Sequence, residues 1–171
     1  MAVLSLLHGL PARTGLITYD GSNPGEGGVC LSLPLTGSVS VGSTTLTPVT
    51  PLECKITLTG KPVFIALINS VYDGTVNSVT YNPNTEADDE GYLGVFRGND
   101  GTYDAATHTI VGKQAFSSSG TTNIVKYPVT SFSFLDTGLV KGVKTYRVFL
   151  MGSHATPSLT VQACRLLVME L

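Results

Sequence analysis

SLTVQACRLLVMEL, residues 158–171, is the stretch on which the fold turns. Its odd positions run Leu159, Val161, Ala163, Arg165, Leu167, Met169, Leu171, while Leu166 and Val168 take the intervening places. Successive side chains of an extended chain point to opposite faces, so the segment reads as a strand that is apolar on both sides. One side belongs to the core. The other would be a wet apolar stripe of the kind monomers avoid, and a second subunit is expected to cover it. Chain ends usually fray because nothing holds them, so this one is expected to be tied down.

Working outward, PVFIALI has the same double character: Val63, Ile65 and Leu67 alternate with Phe64, Ala66 and Ile68. Apolar residues on both faces place it centrally, or under a second subunit. ECKITLTG differs, with Cys54, Ile56 and Leu58 on one side and Glu53, Lys55, Thr57 and Thr59 on the other, the pattern of a half-buried strand. Further short β-branched or aromatic runs occur near Leu16, Val29, Val39, Val79, Leu93, Ile110, Phe132 and Tyr146. Turn-forming clusters separate them, among them DGSNPGEGG at 20–28, NPNTEADDEG at 82–91, GNDGT at 98–102 and GSHATP at 152–157. No capped apolar period of 3.6 residues emerges. About ten short strands with no helix predict an all-β fold, a two-sheet sandwich or barrel. No repeat and no linker appear, so residues 16–171 are expected to form a single domain, with 1–15 as an arm or first strand.

Composition narrows the function. The chain has 171 residues, 13% charged, and a net charge of -2, with no basic face for a phosphate backbone, so nucleic-acid binding is not expected. Apolar runs never reach the ~18 residues of a membrane helix, and the first ten residues lack the basic start of a signal peptide. No membrane partner is expected. Cys30, Cys54 and Cys164 lack close spacing and read as buried free thiols.

Catalytic chemistry finds no constellation. His8, His108 and His154 are scattered, no nucleophile elbow accompanies a serine, and His and Cys do not cluster as zinc requires. Glu86, Asp88, Asp89 and Glu90 offer oxygens for calcium, but their spacing departs from the known loop, and a solvated loop tip is the simpler reading. No enzyme, metal or cofactor is therefore expected. Tyr19, Tyr72, Tyr81 and Tyr103 could stack on sugars, although tyrosines in strands more often pack.

Three stretches together carry a resemblance: TLTGKPVFIAL at 57–67, YPVTSFSFLDTGLVKGVKTYRVFLM at 127–151, and RLLVMEL at 165–171. They resemble the C1q/TNF-like jelly-roll domain found in virion proteins of tailed bacteriophages. Gly60 to Val63, Ser131 to Thr137, Lys144 to Val148 and Arg165 to Leu171 occupy its characteristic places. Gly138 departs from the pattern, standing where that family often has proline. The resemblance implies a ten-stranded, two-sheet jelly roll assembled as a homotrimer, with Leu167, Met169, Leu171, Phe64 and Tyr146 at the subunit interface. It also implies a virion structural role, as a decoration or cement protein bound to a major capsid protein or another virion protein after synthesis in the host cytoplasm. The alternative is a fibre knob that recognises a cell-surface glycan. The brevity of residues 1–15 favours decoration, with the apolar Val3, Leu4, Leu6, Leu7 and Leu10 as the capsid attachment.

Overall fold

The computed structural model describes residues 17–18, 28–70, 77–83, 90–99, 108–117, 124–152 and 158–171. Thirteen strands account for most of them. In chain order they are β1 (Ile17–Thr18), β2 (Val29–Leu31), β3 (Ser38–Val41), β4 (Thr47–Leu58), β5 (Val63–Asn69), β6 (Ser78–Asn82) and β7 (Glu90–Asn99). There follow β8 (Thr109–Ser117), β9 (Val125–Pro128), β10 (Ser133–Asp136), β11 (Gly142–Gly152), β12 (Ser158–Gln162) and β13 (Cys164–Glu170). A 3-10 turn over Val129–Ser131 is the one helical piece among the described residues.

The all-β expectation holds, and the chain folds as a β-sandwich. The count of two sheets and about ten strands does not hold. Hydrogen bonding divides the strands into β1-β2-β13-β5-β10, β4-β11-β7-β8 and β3-β12-β6-β9. All neighbours are antiparallel except the short β1–β2 pair. The extra strands come from runs that break and change sheet. Ala163, at φ 49°, interrupts the closing run between β12 and β13, and the 3-10 turn separates β9 from β10.

Backbone bonds bridge these breaks: Ala163 N donates to Gly37 O at 3.1 Å, Ser70 N to Ala163 O at 3.3 Å, and Leu67 N to Phe132 O at 3.0 Å. The first and third sheets are thus two halves of one bent layer facing β4-β11-β7-β8. With β2/β3, β5/β6, β9/β10 and β12/β13 each taken as one run, the layers follow first-eighth-third-sixth and second-seventh-fourth-fifth.

The core lies between the layers. Cys54, Ile56 and Leu58 of β4 are fully buried, as their alternation predicts, against Val63, Ile65, Leu67, Leu166 and Val168 of the facing layer. Each such side chain contributes roughly 1.5–3 kcal/mol relative to exposure, so this packing is what holds the layers together. Farther back along β4 the alternation slips. Arg147 pairs with Glu53, but Phe149 pairs with Pro48, so β4 carries extra residues opposite β11. Pro48 and Pro51 lack an N–H for the ladder, which is why the irregularity falls there.

Candidate assembly face

The outward side of β2-β13-β5-β10 is built by strand parity alone. Val168 and Leu166 point into the core, so Leu167 and Met169 point out. Val63, Ile65 and Leu67 point in, so Phe64, Ala66 and Ile68 point out. Register then sets them in rows: Met169 lies opposite both Val29 and Phe64, and Phe64 opposite Leu135. Leu167 lies opposite Leu31 and Ala66, and Ala66 opposite Ser133. Arg165 faces Ile68.

The result is a contiguous apolar face. Leu135 is 55% exposed and Leu171, just past β13, 54%. Phe64, Ala66, Ile68, Leu167 and Met169 are half-buried. Ser133 and Arg165 are the polar side chains in its rows, and the Arg165 Nε is buried without a hydrogen-bond partner. Buried polar groups in native proteins nearly always find one.

The end of β13 is tied down, as expected. Glu170 Oε1 accepts hydrogen bonds from Thr59 N (2.7 Å), Thr59 Oγ1 (3.0 Å), Gly60 N (3.0 Å) and Lys61 N (3.0 Å). Gly60 makes this cradle possible: its φ of +105° turns successive amides toward one point, at a backbone angle that side-chain-bearing residues rarely adopt. Burial opposes ionisation of Glu170, but the bonds from Lys61, Thr59 and Gly60 outweigh it and hold the carboxyl below its usual range. Leu171 N also donates to Pro62 O at 2.9 Å.

Tyr146 does not belong to this face, which corrects the expectation from the sequence. Its side chain is fully buried on β11 and donates from its hydroxyl to Asp136 Oδ2 at 3.1 Å. Its neighbours on β11, Thr145 and Arg147, take the opposite parity, and the alternating pattern of VKTYRVF leaves open which set lines the core until the register is known. Arg97 completes the cluster, its Nη1 2.6 Å from both oxygens of Asp136. Burial first, and then the Asp136 carboxylate, push the Tyr146 phenol well above its ordinary range, so it remains a donor.

Val3, Leu4, Leu6, Leu7 and Leu10 lie outside the described residues, as do His8, His154, Tyr19, Tyr72, Tyr103, Glu86, Asp88 and Asp89. Of the acidic loop, Glu90 is described, and it accepts a hydrogen bond from the Tyr92 hydroxyl. Tyr81 is buried, so it offers no sugar platform. His108 packs its ring against Phe96, centroids 4.6 Å apart. Among the described residues no group of three His, Cys, Asp or Glu side chains could hold a metal ion. A small open groove of about 210 Å³ lies between β8 and β9, lined by Gln114, Ala115, Phe116, Tyr127, Ser131 and Phe132.

No family model matches the chain, and no curated protein does. Among solved structures it is similar to a chain of "Structure of infectious bursal disease virus Gx strain", at 8% identity and a TM-score of 0.41. That alignment covers 83% of this chain but 32% of the other, so this chain spans about a third of that one. At that score the likeness carries no argument about function.

Sequence reasoning missed Val29, Leu135 and Arg165 as members of the face. Leu135 was within reach, since TSFSFLD alternates and Phe132, Phe134 and Asp136 occupy the other parity. Arg165 was legible too, since its odd position sets it with Leu167 and Met169, whereas Val29 had no such signal, because only the register of β2 against β13 brings it beside Met169.

Proposed function

We propose that the chain is a virion structural protein, a C1q/TNF-like jelly roll that assembles as a homotrimer and decorates a phage capsid. The observation that carries the trimer is the outward face of β13 and β5. Leu167, Met169, Phe64, Ala66 and Ile68 form one stripe there, with the unsatisfied Arg165 Nε at its end. A stripe of this kind is expected to be covered by a copy of itself, since closed cyclic assembly is the common fate of self-complementary surfaces. The layer order supports the jelly roll: first-eighth-third-sixth facing second-seventh-fourth-fifth is the winding of an eight-strand double Greek key. The virion role rests on the three motif stretches.

Two experiments test the reading. Sedimentation at micromolar concentration should give one species near three times the chain's 17.9 kDa. A stable monomer would end the trimer. Quantitative mass spectrometry of purified virions should then find the protein in fixed stoichiometry to the major capsid protein, and in many copies. A few copies per particle would instead favour the fibre knob.

Attachment is assigned to residues 1–15. Deleting the first twelve should leave a soluble trimer that no longer binds capsids. If that truncation still decorates at full occupancy, the attachment lies elsewhere.

A further inference from the structure

All three cysteines are free and buried, but they are not equivalent. Cys30 sits on β2, directly opposite Val168 of β13, with its side chain in the core. Cys54 sits on β4 in the other layer, and its thiol donates to Leu166 O of β13 at 3.4 Å. Leu166 and Val168 share the inward parity of β13, so the two thiols reach the same place on that strand from opposite layers. Cys30 is the neighbour that perturbs the Cys54 thiol, so the two side chains lie close together there. Cys164, also on β13, is fully buried, and burial is what raises its thiol.

We propose that Cys30 and Cys54 form a latent disulfide between the layers, made when the folding or transiently opened chain meets an oxidising thiol–disulfide couple, while Cys164 stays reduced. With glutathione disulfide as oxidant, the thiolate of one cysteine attacks a glutathione sulfur, and the S–S bond breaks to expel glutathione thiolate. That thiolate takes up the proton released by the protein thiol. The second cysteine, deprotonated in turn, attacks the protein sulfur of the mixed disulfide and expels the second glutathione. Two protein thiols are oxidised and one glutathione disulfide is reduced to two glutathiones.

Burial, followed by the neighbouring Cys30, raises the Cys54 thiol well above its usual range, so attack within the closed fold is slow. The pair therefore records the redox conditions under which the chain folded or last opened. A protein made in a reducing compartment carries the thiols, and one refolded under oxidising conditions carries the bond. Because the bond would join positions 30 and 54 across the sandwich, it constrains the unfolded chain and stabilises the fold. This holds whether the protein is a monomer or a trimer, and so is independent of the function proposed above.

The test is to refold denatured protein in a glutathione redox buffer, with a reductant-treated sample in parallel. The oxidised product should be lighter by two hydrogens, and a non-reduced digest should link the Cys30 and Cys54 peptides. Its melting midpoint should lie higher by roughly 5 to 12 °C, the range for a disulfide closing a loop of this size in a domain of this length. Cys30→Ala and Cys54→Ala should each abolish the link and the shift, while Cys164→Ala should preserve both. No linked peptide, a link that includes Cys164, or a linked product that melts lower would overturn the proposal. Should either alanine variant fail to fold, the wild-type digest decides the matter by itself.

Discussion

Glu170 Oε1 lies 3.0 Å from the backbone nitrogen of Lys61, so the last residue of β13 is bound to the turn between β4 and β5. The same oxygen takes three further bonds from Thr59 and Gly60. One carboxylate thus joins the two layers at the end of the sandwich.

That carboxylate should make the protein acid-sensitive. The folded pKa is depressed below the value of about 4.3 for an unfolded glutamate. Its contribution is therefore complete above that value and is lost as pH falls through the lower, folded pKa. Chemical denaturation across pH 2 to 7 should show wild-type stability dropping at the acid end of this range, with a shallower drop in Glu170→Gln. Glu170→Ala, which removes the charged acceptor of four hydrogen bonds, should cost about 1–3 kcal/mol at neutral pH. An unchanged acid slope in the glutamine variant would show that the cradle is not responsible.

Adjacent leucines of β13 should separate folding from assembly. Leu166 is fully buried, and Leu166→Asp places an unpaired charge in the core, at a cost of about 3–5 kcal/mol. Leu167 points outward, so Leu167→Asp should leave the fold intact by circular dichroism and shift sedimentation to the monomer mass. If Leu167→Asp sediments as the trimer, the face described above is not where subunits meet.

Arg97 and Tyr146 should contribute unequally around Asp136. The Arg97 and Asp136 side chains are 15% and 8% exposed, so the pair is largely desolvated. Arg97→Leu strands the carboxylate and should cost about 3–5 kcal/mol, whereas Tyr146→Phe removes one hydrogen bond and should cost about 1 kcal/mol. Urea denaturation of both variants measures the difference, and equal losses would mean that Arg97 does little to hold Asp136.

Gly94 should not tolerate a side chain. A Cβ there would lie 2.5 Å from Phe149 Cζ and 2.7 Å from Gly112 O, and the second obstacle is backbone. Gly94→Ala should lose roughly 1–3 kcal/mol in thermal melts, the usual cost of overpacking. Gly138→Ala, with nothing within 4 Å of its Cβ, is the matched control and should melt near the wild type.

What the sequence determined by itself was the position of most strands and the inner face of many of them. Period-two alternation is a local property, and Cys54, Ile56 and Leu58, or Val63, Ile65 and Leu67, sort themselves inward without knowledge of their neighbours. The doubly apolar character of 62–68 and 165–171 was equally local, and it marked these strands as apolar on both faces.

Only the tertiary structure decided which strands lie side by side, because register depends on partners distant in sequence. It broke the closing run at Ala163 and so divided one predicted strand between two sheets. It drew Tyr146 inside to Asp136 and Arg97, residues that no spacing in the sequence connects. It gathered Phe64, Leu135, Val29 and Met169 into one row, and it brought Cys30 and Cys54 from opposite layers to the same stretch of β13. Each of these is a contact between strands, fixed by the cross-strand pairing and layer packing of the whole sandwich rather than by the conformational preference of any one segment.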